Sequence, residues 1–290
     1  MFDGFDHQRI ETSEASINLV VGGSGPPLLL LHGYPQTHLK WHKIAPQLAE
    51  DFTVVATDLR GYGDSSKPPT DSSHTPYSKR SMARDQTEVM KSLGFDRFNL
   101  AGHDRGGRVA HRLALDQTDC VQRLALLDII PTRAAFNAVD RNVATTSFHW
   151  FFLIQPDEFP ERMIGHDPEF FLRSQMSKWS RDMSVFPDAV MHEYIRCFNQ
   201  PETIHAACED YRAGATIDLV HDEADFGRKL TCPLLVLWGA GGIMTKLFDP
   251  LEVWQDYAED VSGWAIECGH FLAEEEPEQT CQALREFFSG

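Results

Sequence analysis

Residues 100–115 read LAGHDRGGRVAHRLAL: a short apolar stretch, then Gly102-His103-Asp104-Arg105-Gly106, then a helical pattern. Glycines two before and two after a central polar residue have the spacing of a nucleophile elbow. In that motif a tight strand-to-helix turn presents the central side chain above a sheet. Here the central residue is aspartate, not serine. An aspartate in front of a helix is also a common N-cap, so these residues alone leave both roles open.

Outward from the elbow, short apolar runs alternate with helical segments. PPLLLLHG (26–33), FTVVATDLRG (52–61), RFNLAG (97–102) and VQRLALLDII (121–130) read as buried strands. WHKIAPQLAED (41–51), SKRSMARDQTEVMKSLG (78–94) and GRVAHRLALDQ (107–117) read as helices, the second closed by Gly94. The alternation predicts an α/β fold with a mostly parallel sheet flanked by helices. It stops at residue 131. Residues 131–227 carry aromatics, acids and helix-length segments but no buried strand. Strands and helices resume with CPLLVLWGA (232–240), DPLEVWQDYAED, VSGWAIECGHF and PEQTCQALREFFS. The expected organisation is a core of residues 1–130 and 228–290 interrupted by a helical cap, 131–227. Ligands of open parallel sheets bind beyond the carboxyl ends of the strands. The polar residues there are His32, Asp58, Asp104, Arg105, Asp128 and His270.

The totals bound the partners. A net charge of −17 excludes a nucleic-acid partner, which needs a basic face. No apolar run approaches the roughly 20 residues of a membrane span, and the first residues lack a secretory pattern. The expected location is cytoplasmic, with no membrane partner. Six cysteines without a CxxC pair read as reduced thiols, and nothing points to a metal or cofactor. The acidic total also means that any site for an anion must be made locally by fixed cations.

An elbow predicts partners in the order nucleophile, acid, histidine. Of thirteen histidines, only His270 follows residue 221, and it lies just past a strand. The turn after CPLLVLWG reads Ala240-Gly241-Gly242 and offers no carboxylate, so Asp128, ending LALLD, is the candidate acid, with Asp249 a distant second. A carboxylate is a weak acyl nucleophile but displaces leaving groups from saturated carbon. The ester it forms can then be hydrolysed by water activated at a histidine. Arg105 and Arg108 lie in the first turn of a helix, where a cation opposes the dipole by about 0.3–1 kcal/mol. Either an anion is received there, held by guanidinium forks, or the arginines pair with Asp104 or nearby acids.

Over nearly its whole length the chain resembles the haloacetate (fluoroacetate) dehalogenases of the α/β-hydrolase family. The resemblance rests on LHGYPQTHLKWHKIAPQLAE, DLRGYGDS, GHDRGGR, LLDIIPT, HWFFLIQPDEFPERMIG, DYRAGATIDLVHD and CGHF. It implies a helical cap after the sixth core strand, and a homodimer acting without cofactor on a small haloacid. The implied catalytic residues are Asp104, Asp128 and His270, with Arg105 and Arg108 on the substrate carboxylate. His149, Trp150 and Tyr211 would hold the halide, and backbone N–H groups of Tyr34 and Arg105 the oxyanion. Trp179 stands as either pocket wall or core. Tyr34 replaces a phenylalanine of many relatives.

Three rivals share the fold. An epoxide hydrolase needs two insert tyrosines, for which Tyr194 and Tyr211 are available. A haloalkane dehalogenase usually has Trp after the nucleophile, where this chain has Arg105. A non-catalytic binding protein would not need Asp104, Asp128 and His270 together.

Overall fold

The computed structural model describes all 290 residues, Met1–Gly290. Eight strands form one sheet: β1 (Asp6–Glu11), β2 (Ser16–Gly22), β3 (Pro27–Leu31), β4 (Thr53–Thr57), β5 (Phe98–His103), β6 (Val121–Leu127), β7 (Leu234–Gly239) and β8 (Val261–Ile266). Their spatial order is β1-β2-β4-β3-β5-β6-β7-β8. The β1–β2 and β2–β4 pairs are antiparallel and the rest are parallel. Leu28–Leu31 of β3 and all of β5 are buried, because helices cover both faces of the sheet centre. A continuous apolar run is the sequence image of that position.

On the N-terminal side, the core helices are α1 (Ala45–Leu48), α2 (Lys79–Ser92) and α3 (Arg105–Asp116). The Ser78 side chain caps α2 by accepting from the Ser81 N–H. The helix expected over 41–51 is shorter. A 3₁₀ turn at His38–Trp41 precedes the four-residue α1, because Pro46 fits only the first turn of a helix. The β1–β2 hairpin was not apparent from the sequence. Its outer strand, DHQRIE, is an exposed, charged edge without an apolar run.

Between β6 and β7 the chain is wholly helical: α4 (Thr132–Asn137), α5 (Arg141–Thr146), α6 (Phe148–Leu153), α7 (Phe159–His166), α8 (Pro168–Trp179), α9 (Asp188–Phe198), α10 (Pro201–Ala215) and α11 (Ile217–Ala224), with one 3₁₀ turn at Met183–Val185. After β7 come α12 (Ile243–Leu247), α13 (Pro250–Gln255), α14 (Leu272–Glu275) and α15 (Pro277–Ser289). No helix is long and apolar enough to cross a membrane. All six cysteines are free.

Candidate active site

Asp104 occupies the one residue between β5 and α3. Its backbone is held at φ 50°, ψ −119°, a conformation that costs an L-residue strain and persists only where surrounding structure enforces it. A Cβ on Gly102 would stand 2.5 Å from the Gly106 carbonyl oxygen, and one on Gly106 would stand 2.2 Å from that of His32. Glycine at both places lets strand and helix close on each other. The Asp104 side chain makes no capping bond to α3; its Oδ1 instead accepts the Tyr34 N–H at 2.8 Å. The geometry is that of an elbow.

His270 follows β8 and meets two carboxylates. Its Nδ1 lies 2.5 Å from Asp128 Oδ2, and its Nε2 lies 4.0 Å from Asp104 Oδ2. Asp128, at φ 49° beyond β6, also accepts the Gly239 N–H at 3.0 Å. Asp249 instead caps α13, accepting from the Glu252 N–H. Burial pulls the His270 pKa down, but the hydrogen bond and charge of Asp128, with Asp104 behind them, raise it above the ordinary histidine value. The imidazole is thus oriented by one carboxylate toward another. His103 braces it from below, with its Nε2 2.8 Å from the His270 carbonyl oxygen and the two rings 4.4 Å apart.

The two arginines have different partners. Arg105 donates from Nε to Asp210 Oδ2 (2.9 Å) and from Nη2 to Asp210 Oδ1 and to the Asp210 carbonyl oxygen (both 2.6 Å). Of the two possibilities left open by the sequence, Arg105 takes pairing with a nearby acid. Arg108 does not. It is buried, its Nε has no hydrogen-bond partner, and its guanidinium carbon lies 5.2 Å from the Trp150 ring centre. Burial, reinforced by the charge of Arg105, brings its pKa down to about 10, so it stays a cation at neutral pH. Of the two backbone N–H groups expected at the oxyanion, that of Tyr34 bonds the Asp104 carboxylate and that of Arg105 does not.

Above Asp104 lies a small cavity, with about 30 Å³ open to the centre of a water-sized sphere. Its polar wall is Asp104, Asp128, His270, Ser147, His149, Trp150 and Trp179, and Ile129, Ile243 and Met244 complete it. A cavity holds one water at roughly 10–15 Å³ on this measure, so this one suits a ligand of a few heavy atoms. His149 Nδ1 and Trp179 Nε1 are buried without hydrogen-bond partners. Their rings are 4.7 Å apart, and Tyr211 lies 5.7 Å from His149. Burial holds the His149 pKa well below, and the Tyr211 pKa well above, their ordinary values, so both are neutral donors. A larger open groove of about 840 Å³ along α2 contains none of these residues. No group of three His, Cys, Asp or Glu side chains is placed to hold a metal ion.

Residues 26–277 match the family model described as alpha/beta hydrolase fold. The chain belongs to the α/β hydrolase family. A fluoroacetate dehalogenase of Burkholderia sp is 47% identical over 290 residues, covering 100% of this chain and 95% of that one. A soluble epoxide hydrolase of Corynebacterium sp. (strain C12) is 37% identical, covering 98% and 97%. A crystal structure of a Nostoc sp PCC 7120 protein superposes with a TM-score of 0.99 at 58% identity, covering 100% and 99%. In this α/β hydrolase, two site features escaped the sequence reading. Asp210 gave no local signal, since its partners Tyr62, Lys79 and Arg105 lie 148, 131 and 105 positions away. Trp179, expected as wall or core, lines the cavity and also carries a buried N–H without a partner.

Proposed function

We propose that this chain hydrolyses haloacetates, fluoroacetate and chloroacetate among them, to glycolate and halide through a covalent ester on Asp104. The observation that carries the reading is an elbow carboxylate facing a small cavity, with an unpaired buried guanidinium, Arg108, four residues along the same helix. A haloacetate has one carboxylate for that cation and one leaving group for the neutral donors.

In this reading Oδ1 of Asp104 stays on the Tyr34 N–H while Oδ2 attacks the α-carbon. The carbon–halogen bond breaks, and the halide leaves with the electron pair toward His149, Trp150, Trp179 and Tyr211. Fluoride is a poor leaving group and a strong acceptor, so convergent N–H and O–H donors act where charge develops. Water in the gap between His270 Nε2 and Asp104 then attacks Cγ. His270 takes its proton, the Tyr34 N–H stabilises the oxyanion, and Asp128 stabilises the imidazolium. Collapse returns that proton to the departing glycolate oxygen, and Asp104 loses the remaining proton to regenerate its carboxylate. Residues 131–227 act as the cap that supplies the halide donors, over a core of residues 1–130 and 228–290.

Epoxide hydrolysis is the second reading, favoured by the similarity to the Corynebacterium epoxide hydrolase. Against it, the Tyr194 hydroxyl is committed to Glu274 at 2.8 Å, leaving Tyr211 without a second tyrosine for the epoxide oxygen. Halide and diol release from fluoroacetate, chloroacetate and styrene oxide, assayed side by side, decides between them. Diol from styrene oxide with no halide from either acid overturns the dehalogenase reading.

A further inference from the structure

Asp210 is fully buried in the middle of α10, yet it is the meeting point of three elements. Its Oδ2 accepts the Tyr62 hydroxyl at 2.6 Å and the Arg105 Nε–H at 2.9 Å. Its Oδ1 accepts Arg105 Nη2 and the Lys79 ammonium. Burial alone would raise its pKa, but the two cations hold it well below the carboxylate range. The charges close locally: Lys79 also lies 3.4 Å from Asp218, so Arg105 and Lys79 are matched by Asp210 and Asp218.

The rest of α10 is shaped around the same guanidinium. Tyr211 lies against its face, 4.2 Å from ring centre to Cζ. Gly214, one turn on, leaves room for it, since a Cβ there would stand 3.1 Å from Arg105 Nη2. Edge, face and space are all provided by residues 210, 211 and 214 of one helix.

A guanidinium has five N–H donors. Asp210 takes three of them, one on Nε and both on Nη2, and the two on Nη1 bond to no protein atom. Arg105 is therefore no free fork for a substrate carboxylate. We propose that Asp210 is the positioning residue of the carboxylate clamp: it fixes Arg105 so that only Nη1 is offered, and leaves Arg108 as the one of the two arginines without a counter-charge. The ligand carboxylate then bridges two arginines, one oxygen on each, rather than sitting bidentate on one. Without the Asp210 carboxylate, Arg105 loses the two side-chain bonds that fix its orientation.

This inference rests on the haloacid reading for its ligand, but its test does not need turnover. Binding of glycolate and of its neutral isostere glycolamide is measured by calorimetry on the wild type, Asp210→Asn and Tyr62→Phe. The wild type is expected to prefer glycolate by at least about tenfold, the scale of one charge-assisted hydrogen bond. That preference is expected to fall about tenfold in Asp210→Asn and about 2–5-fold in Tyr62→Phe, which removes one hydroxyl donor from Asp210 and leaves both its cations in place. A merely structural role would weaken both ligands alike and leave the ratio unchanged. Should Asp210→Asn fail to fold, Tyr62→Phe decides. No preference in the wild type, or an unchanged ratio in the folded variants, overturns the inference. Halide release from chloroacetate, measured on the same wild-type sample, tests the dehalogenase reading separately.

Discussion

Replacing His270 by Asn separates the two halves of the proposed reaction. The first half needs only the Asp104 carboxylate, the carboxylate clamp and the halide donors, none of which works through the imidazole. The second half needs a base, and His270 Nε2, 4.0 Å from Asp104 Oδ2, is the group placed to provide one across a water. An asparagine amide can still donate to Asp128, which also keeps the Gly239 N–H, so the buried carboxylate is not stranded and the fold is retained. Loss of a general base lowers a step by about 10²–10⁴-fold. The expected outcome is one equivalent of halide per site at a rate near that of the wild type, then turnover slower by that factor. The peptide carrying Asp104 should hold the ester, seen as added mass. In the wild type, a single turnover in heavy-oxygen water should place label in Asp104. Steady halide release by the variant without a burst, or label going straight into glycolate with none in Asp104, refutes the covalent route.

Other outcomes follow from the same geometry. Arg108→Leu should raise the KM for haloacetate by about 10–100-fold with a smaller change in kcat, because it removes the unpaired cation; an unchanged KM removes the clamp. Turnover requires neutral His270, whose pKa is raised, so kcat should fall as pH drops through a value above the ordinary 6.5, and a midpoint below 6.5 contradicts the Asp128 pairing. Trp179→Phe should slow fluoroacetate about tenfold more than bromoacetate, since fluoride depends most on hydrogen-bond donors; equal losses would make Trp179 a packing residue. Lys40→Met should stabilise the fold at pH 7. Lys40 is fully buried with no hydrogen-bond partner, and burial pushes its pKa from 10.5 down to about 8, against the pull of Glu274 and Asp104. A depression of that size corresponds to about 3 kcal/mol of destabilisation below pH 8, relieved as pH rises toward 10.5. Thermal denaturation at pH 7 and pH 10 should show the gain shrinking with pH; equal Tm at pH 7 speaks against it.

What could be read from the sequence was whatever is local or forced by elimination. The elbow is five contiguous residues between a strand and a helix. His270 is the last histidine in the chain, and Asp128 stands out because residues 240–242 carry no carboxylate. The parallel core is legible because a strand covered on both faces must be apolar throughout, as at Leu28–Leu31. The β1 edge strand has no such constraint and gave no run to find. The difference between Arg105 and Arg108 is not local at all. Both sit in one helical turn, and what separates them is an aspartate 105 positions beyond the first. Helical periodicity in the insert could show that α10 is a helix, but not that residues 210, 211 and 214 cradle a guanidinium from the core.

In the proposed reaction, that division between the arginines bears on how an acidic protein would receive an anionic substrate. The substrate carboxylate must come within a few ångströms of Asp104, where two like charges repel by about 1 kcal/mol in water and about 4 kcal/mol near a protein surface. Were both arginines paired within the protein, neither would be left to offset that repulsion. Were both unpaired, two desolvated cations would repel one another, as the charge of Arg105 already lowers the pKa of Arg108. Holding Arg105 on Asp210 and leaving Arg108 unmatched avoids both outcomes. The free protein carries one desolvated guanidinium, with its pKa lowered to about 10, whose strain a single bound carboxylate relieves. In the haloacid reading proposed above, selectivity for a monocarboxylate over a neutral halide then follows from the count of local charges.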